Sequence, residues 1–204
     1  MIISGGAVAD YAYTASLLRG DDTIICADSG YDHAVKMGIV PNIVVGDFDS
    51  VRGEIPAKMP RLTFPSRKDK TDTEIAIDYA RGEGFRDFLL LGCAGNRLDH
   101  TLANIFLLKG FVLRNENVAF CDDFNLVIPM GGGGQVRIDR PCGTIVSLIA
   151  LDDCTGVTTE GLEYPLENAV LRAGDTLGVS NVVAKKPATV FVKSGLLLVI
   201  CAVD

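Results

Sequence analysis

Residues 23–50 read TIICADSGYDHAVKMGIVPNIVVGDFDS, and the pattern of this stretch decides the fold. Two short apolar runs, Thr23–Ala27 and Asn42–Val45, flank a segment of helical character. Each run ends in a polar turn: Asp28-Ser29-Gly30 after the first, and Gly46-Asp47-Phe48-Asp49-Ser50 after the second. Strand, helix and strand at this spacing predict a parallel βαβ unit. The alternation continues outward, with further strands expected at Met1–Ile3, Arg61–Phe64, Asp87–Leu91 and Val118–Cys121. Thr71-Asp72-Thr73-Glu74 has the spacing of a capping box, with Ile75, Ala76, Tyr79 and Ala80 following on one helical face. Leu102, Ile105 and Phe106 recur at helical spacing after Asp99. The first 122 residues or so therefore read as an α/β domain with a largely parallel sheet.

Beyond about residue 130 the texture changes. Gly131–Gly134 reads as a hinge or hairpin, since no Lys-Ser/Thr pair and no helix follow it as a phosphate loop requires. Strand-like runs come next at Gln135–Ile138, Thr144–Leu151, Val170–Arg172, Thr189–Lys193 and Leu196–Val199, separated by turn residues. That is the pattern of a small all-β sandwich or barrel.

Composition narrows the function. The chain has 204 residues, 48% of them hydrophobic and 22% charged, so it has material for a real core. Its 19 Lys and Arg against 26 Asp and Glu give a formal charge of −7, which disfavours nucleic acid and anionic membranes as partners. No apolar run approaches the roughly 18–20 residues of a membrane span, and the N-terminus lacks the pattern of a signal peptide. A cytoplasmic location is the expectation. The six cysteines are dispersed without a CxxC pair, and most sit in apolar runs as small core residues.

The chemistry gathers where the strands end. In an open parallel sheet, ligands bind beyond the carboxyl ends of the strands. The segments after the five expected strands up to residue 91 are rich in Gly, Asp and basic residues: Ser4-Gly5-Gly6, Asp28-Ser29-Gly30, Gly46 to Ser50, Ser66 to Asp72, and Gly92 to His100. Carboxylates grouped with glycines and a few cations suit a divalent metal bridging to phosphates, because Mg²⁺ takes oxygen ligands from carboxylates, phosphates and water. Asp47 and Asp49 can converge on one ion, Gly46 lets backbone approach closely, and Asp72 adds an acidic group on the same edge. The competing structural reading is a set of turns and helix starts capped by aspartates. Lys68, Asp69 and Lys70 alternate in sign before Asp72, as suits a nucleotide with its metal. Arg97 can clamp a phosphoryl oxygen near the start of a helix. His100 reads as a binding residue. Neither a P-loop nor a dinucleotide G-x-G-x-x-G is present, and there is no G-x-S-x-G nucleophile elbow.

ADSGYDHAVKMGIVPNIVVGDFDS, KDKTDTE, GNRLDHTLANI and the later GVSN together resemble the thiamine pyrophosphokinase (thiamine diphosphokinase) family over nearly the whole chain. The resemblance implies an enzyme that transfers the diphosphoryl group of ATP to the hydroxyl of thiamine, releasing AMP. It implies a Rossmann-like three-layer α/β domain that binds ATP and Mg²⁺, residues 1–130, followed by a thiamine-binding β-sandwich, residues 131–204. Carried over by motif, Asp47, Asp49 and Asp72 hold Mg²⁺ and, with Arg97, form the catalytic set. Asp28, Lys68, Asp69, Thr73, Asp99 and His100 line the ATP side. Ser180 and Asn181 approach thiamine, and the resemblance implies a homodimer with active sites between subunits. The chain departs from the family pattern at Ser29, where Gly is usual, at Asn96, and after Ser180-Asn181, and it has no Trp. Two other readings stay open: a pyrophosphokinase acting on a hydroxymethyl-dihydropterin, and a non-catalytic nucleotide or thiamine sensor.

Overall fold

Full burial explains the near-continuous apolar character of the first strands. β1 (Ile2–Ile3) opens the chain, and α1 (Tyr11–Ser16) follows with the Asp10 carboxylate accepting the Tyr13 N–H at 2.8 Å. Next come β2 (Ile25–Ala27), α2 (Gly30–Lys36), β3 (Ile43–Gly46) and β4 (Arg61–Thr63). α3 (Asp72–Gly82), β5 (Asp87–Leu91), α4 (Leu98–Leu113) and β6 (Asn117–Cys121) complete this half. Ile2, Ile3, Ile25, Cys26, Val44 and Val45 are all buried, as expected of a sheet covered on both faces. The computed structural model describes residues 1–65, 67 and 69–203. They fall into two units: Met1–Leu107 with Phe120–Asp123, and Leu108–Ala119 with the chain from Phe124 onward.

In the first unit the strands are parallel in the order β5-β1-β2-β3-β4. The chain steps from β1 outward through β4, then returns through α3 to lay β5 on the other side of β1. That reversal is a topological switch point, and it places the ends of β1 and β5 side by side. Ser4 N–H donates to Leu91 O at 2.8 Å and Gly6 N–H to Gly92 O at 2.7 Å across the join. α2 and α3 lie against β1 and β2, and Gly30 is required there because a Cβ would meet Ile3 O at 1.9 Å. The Thr71 hydroxyl accepts the Glu74 N–H at 3.2 Å, so the expected cap starts α3. All six strands expected in this half are present, with ends displaced by at most two residues.

The second unit contains β7 (Asn125–Gly131), β8 (Gln135–Ile138), β9 (Ile145–Ala150), β10 (Cys154–Glu160) and β11 (Ala169–Leu171). β12 (Asn181–Val182), β13 (Ala188–Phe191) and β14 (Leu196–Ala202) follow. β12-β9-β14-β7 and β11-β10-β13-β8 are two antiparallel arrays. Val146, Leu148, Leu197 and Val199 from the first share one core with Val157, Ala188 and Val190 from the second, which makes this a sandwich. The glycine run Gly131–Gly134 is the tight turn that carries the chain from β7 to β8, with Gly134 N–H on Gly131 O at 3.0 Å.

Three strands in this half are absent from the reading of the sequence, for physical reasons. β7 contains Pro129, which cannot donate to a ladder, yet pairs with Leu198. β10 carries Gly156 at φ +64° and a register shift between Cys154 and Val157, which breaks its alternation. β12 is two residues long.

Leu148 is 1% exposed at the centre of the sandwich core. Leu148→Ala is expected to lower unfolding stability by about 2–5 kcal/mol in urea titrations followed by circular dichroism.

Candidate active site

A cavity of about 910 Å³ opens at the carboxyl ends of β1, β2, β3 and β5, within the first unit. Its wall includes the turn after each of these strands and the first residues of α3 and α4. The floor beneath is polar but closed on itself. Ser4 Oγ and Thr73 Oγ1 share a hydrogen bond at 2.9 Å, the Cys93 thiol donates to Ser4 Oγ at 3.4 Å, and Asn104 Nδ2 donates to Cys93 O at 2.8 Å. Burial pushes the Cys93 thiol up to about 12, so it is an uncharged part of the floor.

One carboxylate oxygen each from Asp28, Asp47 and Asp72 lies within 4.8 Å of the others. Three backbone features bring them together. β2 and β3 end side by side, with Asp28 N–H on Val45 O at 2.8 Å. Gly46 sits between the acids: a Cβ there would meet Asp28 Cβ at 3.1 Å and Asp72 Oδ1 at 3.2 Å. Asp28 and Phe48 adopt the left-handed region, at φ +48° and +64°. For Phe48 that conformation is costly and rare. It turns the chain between Asp47 and Asp49, so the two do not follow the geometry of a regular strand.

Asp28 is 9% exposed. The Ser50 hydroxyl donates to its Oδ2, while its Oδ1 is buried with no hydrogen-bond partner among the described residues. A buried carboxylate oxygen left without a donor is expensive unless a cation completes it. Three convergent carboxylate oxygens, one of them the orphaned Asp28 Oδ1, fit a hard divalent ion, which takes oxygen ligands and retains water or phosphate in its remaining positions. Asp49 is exposed on the rim, and its carboxyl is raised above the usual range, first by the charge of Asp47 and then by some desolvation and by Asp28 and Asp72. The grouping thus differs in membership from the sequence reading. Asp28 joins Asp47 and Asp72 at the shortest separations, and Asp49 stands beside them.

The remaining candidates are distributed as follows. Arg97 and His100 line the cavity on the α4 side. Arg97 Nη2 donates to Asp99 Oδ2 at 2.6 Å and Arg97 Nε to Asp99 Oδ1 at 3.2 Å, a two-point pair between exposed side chains. Arg97 holds the Asp99 carboxyl down to about 2, with a smaller contribution from the His100 N–H. Such an exposed pair is weak enough for Arg97 to exchange Asp99 for a phosphate at little cost. Thr73 is buried, and its hydroxyl bonds Ser4. Asp69 is exposed and outside the cavity wall, while Lys70 binds Asp78 at 2.5 Å and Glu74 at 3.3 Å. Lys68 lies outside the described residues.

In the second unit, Ser180 is exposed at φ +60° with its N–H on Ser147 Oγ at 3.1 Å. Asn181 is 5% exposed, and its amide is engaged by backbone. Its Oδ1 accepts from Tyr164 N at 3.1 Å and Val182 N at 2.8 Å, and its Nδ2 donates to Tyr164 O at 2.6 Å. Asn181 therefore fastens the Tyr164 turn. The sequence reading gives Ser4, Ser50 and Asn104 no individual role, because their partners lie 22 or more residues away for Ser4 and Ser50, and 11 residues back, before α4 begins, for Asn104.

A parallel α/β unit with acidic oxygen donors gathered where β2 and β3 end and α3 begins, joined in sequence to an antiparallel sandwich, defines a two-part α/β and β protein. Residues 14–121 match the family described as thiamin pyrophosphokinase, catalytic domain, and residues 135–197 match the thiamin pyrophosphokinase, vitamin B1 binding domain. The chain is similar to a thiamine pyrophosphokinase of Bacillus subtilis (strain 168), at 32% identity over 187 residues covering 88% of this chain and 87% of that one. It is also similar to thiamin pyrophosphokinase 1 of Caenorhabditis elegans, at 29% over 171 residues, 78% of this chain and 68% of that one. The crystal structure of the thiamine pyrophosphokinase from Bacillus subtilis superposes with a TM-score of 0.89 at 27% identity, covering 100% of this chain and 98% of that one. The chain belongs to the thiamin pyrophosphokinase family.

Two outcomes follow from the charges. Asp49→Asn relieves repulsion, so it is expected to raise the thermal midpoint of the chain in EDTA and to shrink the further rise produced by a divalent cation. The Arg97–Asp99 pair contributes stability above the ordinary carboxylate pKa near 3.8, and this is lost as pH falls toward about 2. An NMR titration should find Asp99 near 2, and Arg97→Ala should raise it toward the ordinary 3.8.

Proposed function

We propose that this chain is an ATP-dependent thiamine diphosphokinase, carrying the diphosphoryl group of ATP to the hydroxyl of thiamine and releasing AMP. The observation that carries the reading is the Asp28, Asp47 and Asp72 group, with its orphaned Asp28 oxygen, at the switch-point cavity of a chain in this family.

The thiamine oxygen forms a new bond to the β-phosphorus of ATP, and the bond from that phosphorus to the α–β bridging oxygen breaks. The hydroxyl proton leaves to solvent or to a carboxylate. Both reactants carry groups that resist approach, because the alcohol is weakly nucleophilic and the phosphorus is shielded by anionic oxygens. Rate enhancement then comes mainly from positioning and charge neutralisation. Asp47, Asp49 and Asp72, joined by Asp28, are the residues that would hold Mg²⁺, whose chemistry is to offset phosphate charge. Arg97 leaves Asp99 to clamp a phosphoryl oxygen, as its fork geometry suits. His100, Asp99, Asp69, Lys68 and Thr73 belong to the ATP side, Thr73 by ordering the floor through Ser4. Ser180 meets thiamine with its hydroxyl, and Asn181 acts there by holding the Tyr164 turn.

The division of labour we propose assigns ATP to residues 1–130 and thiamine to residues 131–204. A homodimer and a cytoplasmic location complete the proposal. No helix among the described residues is long and apolar enough to cross a membrane. Light scattering of the purified chain tests the dimer.

The deciding assay follows AMP from ATP and Mg²⁺ with and without thiamine. Thiamine-dependent AMP matched by thiamine diphosphate is the expected result. AMP formed only with a hydroxymethyl-pterin acceptor would overturn the substrate, and tight ATP binding without AMP from any acceptor would make the chain a sensor. Asp72→Asn is expected to lower kcat by at least about 100-fold with the fold intact by circular dichroism.

A further inference from the structure

His33 lies outside the carboxylate cluster, yet its ring is the middle link of a directed chain of hydrogen bonds that ends at the cavity wall. Nε2 is 2.8 Å from Gly6 O, and Nδ1 is 2.9 Å from Tyr11 Oη. Lys36 Nζ donates to Tyr11 Oη at 3.2 Å and lies 5.3 Å from the centre of the Tyr11 ring. A carbonyl only accepts, so the hydrogen belongs on Nε2. A neutral ring then accepts the Tyr11 hydroxyl at Nδ1, and Tyr11 Oη accepts from Lys36. Every donor and acceptor in the series is matched with the imidazole uncharged.

The far end of the series matters because of what Gly6 does. Ser4, Gly6 and Ala7 donate their N–H groups to Leu91, Gly92 and Ala94 carbonyls at 2.8, 2.7 and 2.6 Å, tying one edge of the turn to the end of β5. A side chain is excluded at Gly6, where a Cβ would meet Ala94 O at 2.2 Å and Gly92 O at 2.4 Å, and one at Gly5 would require the Ser29 hydroxyl, at 2.0 Å, to turn away. Two consecutive glycines leave the backbone free to flip. The Gly6–Ala7 peptide is held against that freedom on both sides, by Ala7 N–H on Ala94 O and by His33 on Gly6 O. Gly5, exposed at the cavity wall, is flanked by the Ser4 and Gly6 N–H bonds to the end of β5, and the Ala7 and His33 anchors fix the peptide that follows it.

We propose that His33 is a positioning residue for the ATP side of the reaction, pinning the Gly5–Gly6 turn through Nε2–H and the Gly6 carbonyl. This rests on the reading of the cavity as the ATP site. Burial lowers the His33 pKa below the ordinary value near 6.5, Lys36 adds to the lowering, and Asp32 and the Gly6 bond oppose it. Asp32 itself is held by the Arg52 and Gly53 N–H groups at 2.9 and 3.0 Å. Protonation would put a second cationic donor on Tyr11 Oη beside Lys36.

The test compares His33→Asn with His33→Gln in the full chain. Gln places an amide N–H where the imidazole Nε2–H stands, and Asn does not reach it. Removing one half-buried hydrogen bond to the turn corresponds to about tenfold, so His33→Asn should speed hydrogen exchange at the Gly6 and Ala7 amides about tenfold and raise KM for ATP by a similar factor. KM for thiamine should stay unchanged, and His33→Gln should recover both readouts. Parent-like exchange and KM in His33→Asn would overturn the proposal, as would a His33→Gln variant as impaired as His33→Asn. A parent chain that makes no AMP with thiamine would sink the functional reading alone, since the exchange comparison still decides whether His33 holds the turn.

Discussion

Asp28, Asp47 and Asp72 repel one another, and the backbone nevertheless brings them within 4.8 Å. The arrangement depends on β2 and β3 ending in register, on Gly46 leaving room where a methyl group would touch two of the acids, and on Asp28 and Phe48 accepting left-handed backbone. Each of these is unfavourable or restrictive locally. They persist because β1, β2 and β3 are buried and leave the strand ends nowhere else to go. Stability held in the sheet is in this way converted to electrostatic strain at its edge, of the kind a bound cation would relieve.

The rest of the cavity follows the same division between rigid support and exposed chemistry. Ser4, Thr73, Cys93 and Asn104 are linked to one another by hydrogen bonds, which tie the floor together. Arg97 and Asp99 sit above it, exposed and paired with each other. An exposed ion pair is a poor source of stability and a good store for a mobile cation, since partner exchange costs little there. His33, Tyr11 and Lys36 belong to the support, acting on the glycine turn.

In the second unit, support and contact are divided between neighbouring residues. Asn181 is sequestered by the backbone of Tyr164 and Val182, whereas Ser180 beside it is exposed and strained. A Ser-Asn pair in sequence thus resolves into one residue that presents and one that fastens. The glycine run at Gly131–Gly134 resolves in the same manner into a simple turn between the two arrays of the sandwich.

The alternation of apolar runs with helical segments was enough to place β1 to β6; for β1, β2 and β3 the reason is that parallel strands buried on both faces must be apolar, with their polar turns falling between them. The cap at Thr71 and the gathering of Gly and Asp after successive strands were legible for a similar reason, since both are local in the chain. β7 and β10 were not legible, because Pro129 and the bulge at Gly156 are tolerated only through pairing with strands distant in sequence. Asp28 was readable as a strand-end acid, but its company with Asp47 and Asp72 depends on β2 lying beside β3 and on Gly46 facing both neighbours. Ser50 on Asp28, and His33 on Gly6, are separated by 22 and 27 residues, and no periodicity links positions so far apart. The sequence by itself determined which residue types stand at the ends of the strands. Only the tertiary structure decided which of them touch, because contact across a sheet is set by strand order and register, and neither is written locally in the chain.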